Sequence, residues 1–200
     1  FRNSIKKLED LGHSVKQVSL PHTEYVLGCY YVIVPAEVSA NLARFDGVKY
    51  GLYQEGKNLF EDYLKTRGAG FGKEVRRRII LGTYVLSAGY YEAFYSRAQK
   101  VRVLIKEDFK KVFSPSAGGA DILLTPVSPT AAFKIGEKTD DPVKMYLADI
   151  FTVSANLAGL PALSVSNGFI ESDGVKLPSA IQLIAPWFEE EKLFYLGKQL

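Results

Sequence analysis

Apolar residues recur three and four apart over long stretches of this chain and every second position over short ones, which predicts helices interleaved with strands. Residues 4–11 read as an amphipathic helix with Gly12 as its C-cap, and residues 13–20 alternate as a strand does. Pro21 breaks that strand, and Thr23 is placed to cap a helical run from 24 to about 45, interrupted or restarted at Pro35. Residues 44–51 form a turn-rich loop, 59–66 a short helix and 68–72 a glycine hinge. From Lys73 to about Phe113 nearly every residue favours helix, so two helices or one bent helix are expected, with Gly82 and Gly89 as weak points. After a loop at 114–119, residues 120–125 predict a buried strand, closed by Pro126 and Pro129 and central in its sheet. A charged loop at 136–141 leads into an apolar helix-like run from Met145 that breaks at Gly159-Leu-Pro161. Strands at 162–165 and 179–184 flank a turn at Asp173-Gly174, and a last helix starts near Glu189. Together these predict an α/β fold with long helices, a partly parallel sheet and no internal domain boundary.

Composition changes this picture little. Two hundred residues at 47% hydrophobic and 24% charged are enough for a real core, and a net charge of +3 is too small to argue for nucleic-acid binding. The single cysteine, Cys29, excludes an internal disulfide and fits a reducing compartment, with the cytoplasm as the default. No apolar run approaches the roughly 18 residues of a spanning helix. The chain opens on Phe1, not Met, runs at once into a helix and is still helix-like where it stops, so a longer parent protein is expected on both sides.

Familiar chemical signatures are missing. There is no Walker loop and no Gly-x-Ser-x-Gly elbow, and Gly68-Ala-Gly-Phe-Gly72 follows a helix, so it reads as a hinge. His13 and His22 lack partners at metal-ligand spacing and read as exposed turn residues. The basic residues Arg97, Lys100, Arg102, Lys106, Lys110 and Lys111 are interspersed with Glu107 and Asp108 and read as a solvated helix face. Arg76, Arg77 and Arg78 differ, because consecutive helical residues point about 100° apart and cannot share one face. Arg78 has Val75, Leu81 and Val85 at helical spacing and is the candidate for a half-buried arginine. Asp149, between Leu147, Ala148, Ile150 and Phe151, is expected to be buried and to need a partner, since desolvating a carboxylate costs several kcal/mol. Such a pair suits a zwitterionic amino acid, or the two side chains pair with each other; spacing leaves both open.

Three segments carry a resemblance. Asn41-Leu-Ala-Arg-Phe-Asp-Gly-Val-Lys-Tyr-Gly51, the stretch Gly70-Phe-Gly-Lys-Glu-Val-Arg-Arg-Arg78 with its continuation to Tyr91, and Asn156-Leu-Ala-Gly-Leu-Pro161 resemble the amidase signature family. Within it they resemble the A subunits of tRNA-dependent amidotransferases. The resemblance implies an α/β/α sandwich, with this chain as the C-terminal part of a single amidase domain. It implies Ser-cisSer-Lys chemistry that hydrolyses glutamine to supply ammonia for converting Glu-tRNA(Gln), Asp-tRNA(Asn) or both. The nucleophile's Gly-Gly-Ser-Ser-Gly-Gly-Ser stretch has no counterpart here, since Ser114-Pro-Ser116 lacks the paired serines. The fragment alone is therefore expected to be inactive. By resemblance Tyr30, Arg78 and Asp149 contact the donor glutamine: Arg78 its carboxylate, Asp149 its ammonium. The implied partners are the amidotransferase's B and C subunits in a heterotrimer. Misacylated tRNA, ATP and magnesium are then expected on the B subunit, with no cofactor, metal or membrane contact on this chain. An organellar location would follow from an upstream targeting segment. A stand-alone small-molecule amidase and a non-catalytic scaffold half are the alternatives. The family usually has one glycine between the proline and Leu-Gln of the late strand and another after the following isoleucine; this chain has Pro178-Ser-Ala180-Ile-Gln182 and Ile184-Ala185, and alanine is tolerable there if φ is negative.

Overall fold

A computed structural model describes residues 1–117, 119–139 and 141–200; Gly118, in the loop expected at 114–119, and Asp140, in that expected at 136–141, lie outside the described residues. In chain order the elements are α1 (Arg2–Asp10), α2 (Val26–Leu42), α3 (Leu59–Gly70), α4 (Lys73–Val85), α5 (Arg97–Phe113), β1 (Leu123–Pro126), α6 (Pro142–Leu147), α7 (Val153–Ala158), β2 (Ala162–Ser172), β3 (Val175–Ile184) and α8 (Glu190–Gly197), with a 3₁₀ turn at Pro21–Tyr25 and a π-helical turn at Tyr91–Ser96. They form two compact units, one of Phe1–Leu27 with Val101–Leu200 and one of Gly28–Lys100. No helix among the described residues is long and apolar enough to cross a membrane.

The first unit is built on a three-stranded sheet in the order β1-β3-β2, and both pairings are antiparallel. The β2–β3 direction follows from the connection: Asp173 and Gly174, at φ 52° and 74°, make the tight turn with two positive φ values that a two-residue hairpin requires. The partly parallel pairing expected of the sheet does not occur among these strands. β3 is the central strand, and β1, expected at the centre, lies at an edge. Residues 13–20 form no strand: alternation shows only that one side could be covered, and Val15 is exposed. A bulge interrupts the β2–β3 register between Ser166 and Gly168, where Gly168 has φ 105°. Neither Ala180 nor Ala185 has positive φ, so alanine fits at both. One face of the sheet carries Leu183 and Ala185 into a core with Leu8, Leu193 and Leu196, and α8 packs so closely that a β-carbon on Gly197 would lie 2.8 Å from Leu163 Cδ2.

Among the described residues the buried acid of this unit is Asp108. Its side chain, 2% exposed, accepts hydrogen bonds from the His22 backbone N–H (2.8 Å) and lies 2.9 Å from His22 Nδ1. Asp108 sits in the stripe of Ile105, Phe109 and Val112, so the α5 charges are not all a solvated face. Arg102 Nε donates to the Leu157 carbonyl at 2.7 Å, and the Lys106 ammonium stands 5.1 Å from the Trp187 ring centroid. Nor are the histidines plain turn residues, since His13 Nε2 meets Gln199 Oε1 at 3.0 Å.

In the second unit α2 runs through Pro35 without stopping, and Pro35 is fully buried. α4 passes so close that a β-carbon on Gly82 would fall 1.9 Å from the Pro35 carbonyl oxygen, while Ser39 and Thr83 hydroxyls meet at 2.9 Å. Gly82 is thus a helix crossing point and not a weak point. The break expected in the 73–113 run falls at Gly89, φ 83°. Asn58 caps α3 through the Glu61 N–H, and that helix continues through Gly68 and Gly70, so the hinge narrows to Phe71 and Gly72.

Candidate functional site

Three helical arginines in a row must diverge, and they do: Arg76 and Arg77 are exposed, and Arg78 turns inward with 26% of its side chain exposed. Glu74, one turn earlier on α4, holds the guanidinium through a 3.0 Å bond from Arg78 Nε, while its other oxygen accepts from Arg77 at 2.7 Å. From α2, the Tyr30 hydroxyl hydrogen-bonds with Arg78, and the Tyr31 ring lies under its Cζ at 5.8 Å. Tyr30 and Tyr31 pack edge to face at 5.0 Å. Burial opposes the Arg78 charge, but the hydrogen bonds to Glu74 and Tyr30 and the Glu74 charge outweigh it and raise its pKa above the ordinary range. The result is a fixed, half-buried cation whose five-donor fork is only partly used.

The structure therefore brings Tyr30 and Arg78 together within the second unit. Asp149 belongs to the first unit, and its environment differs from the expectation. Helix α6 stops at Leu147, and Asp149 lies exposed on the turn that joins α6 to α7. Its apolar neighbours in sequence are one or two positions away and point elsewhere, so they do not desolvate it. The turn itself is tightly held. The Asp149 carbonyl accepts from Thr152 N (2.9 Å), Val153 N (3.2 Å) and Thr152 Oγ1 (3.0 Å). Gln182 Nε2, from the buried C-terminal end of β3, donates at 2.9 Å both to the Phe151 carbonyl and to Thr125 Oγ1 of β1. Beyond the turn, α7 ends at Gly159 in the left-handed region (φ 72°), and its last carbonyls accept from Arg102 Nε and, at 3.2 Å, Trp187 Nε1.

Two residues around these positions escaped the sequence reading. Glu74 was detectable as an acid four before Arg78 on a helix, a spacing that favours pairing. Gln182 left no such signal, because a polar residue in a buried strand declares its partners only when the neighbouring elements are in place.

The chain matches the family model described as Amidase over residues 1–194. It is 55% identical over 197 residues to the glutamyl-tRNA(Gln) amidotransferase A subunit of Thermodesulfovibrio yellowstonii, covering 98% of this chain and 39% of that protein. Identity to the protein of the same name from Afipia carboxidovorans is 58% over 194 residues, covering 96% of this chain and 38% of the relative. Among solved structures, a Kluyveromyces lactis allophanate hydrolase superposes with a TM-score of 0.67 at 23% identity, over 99% of this chain and 28% of that one. A 6-aminohexanoate cyclic dimer hydrolase does so at 0.65 and 19%, over 99% and 39%. These superpositions bear on the fold alone.

Proposed function

Given that this chain belongs to the amidase family, we propose that it is the glutamine-binding portion of an amidotransferase A subunit. The supporting observation is the 55–58% identity, sustained over nearly the whole chain, to proteins named as the A subunit of glutamyl-tRNA(Gln) amidotransferase. Because the chain spans 38–39% of their length, the activity belongs to the longer protein.

In this reading the parent enzyme hydrolyses glutamine and delivers ammonia for amidating Glu-tRNA(Gln), Asp-tRNA(Asn) or both, in the cytoplasm. It works in a heterotrimer whose B subunit holds tRNA, ATP and magnesium. Arg78 receives the α-carboxylate of glutamine: Glu74 and Tyr30 occupy part of its fork and leave N–H groups for bidentate contact. Asp149 receives the α-ammonium, and its exposure suits a carboxylate that is to be met by ligand. Tyr30 adds a wall beside Arg78. The serine nucleophile and its lysine are supplied by sequence outside these residues, so the 200-residue chain alone hydrolyses no amide.

The test is glutaminase activity of the full-length protein, with and without the tRNA-binding partner, in Arg78→Ala and Asp149→Asn variants. Loss of one charge-assisted contact, about 1.5–3 kcal/mol, raises KM for glutamine about 10- to 100-fold while kcat changes less. Unchanged glutamine dependence in both variants would sink the assignment.

A further inference from the structure

Within the Gly28–Lys100 unit lies a separate cleft of about 240 Å³, lined by Ala36, Glu37 and Ala40 of α2 and by Leu86, Tyr91 and Tyr95. We propose that this cleft binds a monovalent organic cation, a guanidinium or alkylammonium group, with Glu37 as counter-ion and the two tyrosine rings as walls.

The cleft carries one formal charge, and it is negative. Glu37 is exposed, and no lysine, arginine or histidine forms an ion pair with it among the described residues. The carboxylate is nonetheless held in direction, because the Tyr95 hydroxyl donates to its Oε1 at 3.0 Å. Tyr91 and Tyr95 lie on the π-helical turn, which is wider than an α-helical one and a rare form that recurs at functional sites. Their ring centroids are 5.3 Å apart and tilted by 36°, and both residues line the cleft beside the acid. Ala36 and Ala40 keep the floor clear, and Leu86 closes one side with hydrocarbon. Aromatic faces beside an oriented, uncompensated carboxylate attract a cation and repel an anion, and a neutral ligand gains nothing from the charge.

Methylguanidinium and its neutral near-isostere N-methylurea serve as probes, titrated into the full-length protein by calorimetry. The cation binds and the urea does not; Glu37→Gln, which keeps an acceptor for Tyr95, raises the cation's Kd at least about fivefold, and Ala40→Leu, which fills the floor, abolishes binding. Equal binding of both probes, or an unchanged Kd in Glu37→Gln with its circular dichroism intact, overturns the proposal. Repeating the titration on the enzyme assembled with its partner subunits separates two sources of the cation. Binding lost on assembly identifies a lysine or arginine side chain of a partner as the natural occupant, and binding retained identifies a small-molecule amine or guanidine.

Discussion

A guanidinium keeps its charge at any accessible pH, so what the fold controls at Arg78 is direction, through Glu74 on its own helix and Tyr30 from α2. Tyrosine is the opposite case, and Tyr95 shows it. Burial pushes its phenol above the ordinary value of 10.0, and the Glu37 carboxylate pushes the same way, partly countered by Gln99. A raised folded-state pKa means that the native protein holds the proton more firmly. The Tyr95 contribution to stability is therefore complete below pH 10 and declines as pH rises through the raised value. The difference in Tm between the wild type and Tyr95→Phe, followed from about pH 8 to 11, should be constant at first and narrow above about 10; a constant gap throughout would remove Glu37 and burial as its causes. At this scale the inward turn of Arg78 was legible, because three successive arginines cannot share a face and only one has an apolar stripe around it. The burial expected at Asp149 does not occur, because residues adjacent in sequence are not its neighbours in space. The buried acid, Asp108, occupies a stripe position flanked by Ile105 and Phe109, and its surrounding charges masked that pattern.

Helices announce themselves by period, but where they touch depends on residues that period does not report. Gly28 and Gly82 are both helical glycines, and the same substitution should act on them in opposite directions. A β-carbon at Gly28 meets nothing within 4 Å, so Gly28→Ala should stabilise by roughly 0.5–1 kcal/mol through helix propensity alone. At Gly82 it would strike the Pro35 carbonyl and Ser39 Cβ, backbone and short side chain that cannot step aside, so Gly82→Ala should cost about 1–3 kcal/mol or more. Urea midpoints of the two variants moving the same way would contradict the close α2–α4 crossing. Existence and type of the longer helices were readable on these grounds, as were the Gly159 stop and the Asp173-Gly174 turn, but the run from Met145 divides into α6 and α7 around the turn at 148–152. Strand order and direction were not: the alternation at 13–20 lacks a partner, and the edge position of β1 depends on β3, which lies far later in the chain.

For the molecule as a whole, burial is unevenly spread along the β2–β3 hairpin, and the bulge between Ser166 and Gly168 marks the change. On the side of the bulge away from the turn, β3 ends in Ile181, Gln182, Leu183 and Ile184, all buried; toward the turn, Phe169, Ile170 and Val175 are exposed and no residue is buried. One continuous ladder thus joins a stretch anchored in the core to a stretch held by little beyond its own backbone bonds. Local opening needs to break only the second, since no core contact opposes it. Amide hydrogen exchange should divide there, with the backbone from Gly168 to Ser179 exchanging through brief fluctuations and that of Ile181–Ile184 only when the whole unit unfolds; uniform protection along both strands would show that the hairpin opens as one. In kinetic terms the bulge should act as a fuse: motion at the tip is expected to end there before it reaches Gln182, leaving the turn that carries Asp149 still while the hairpin breathes.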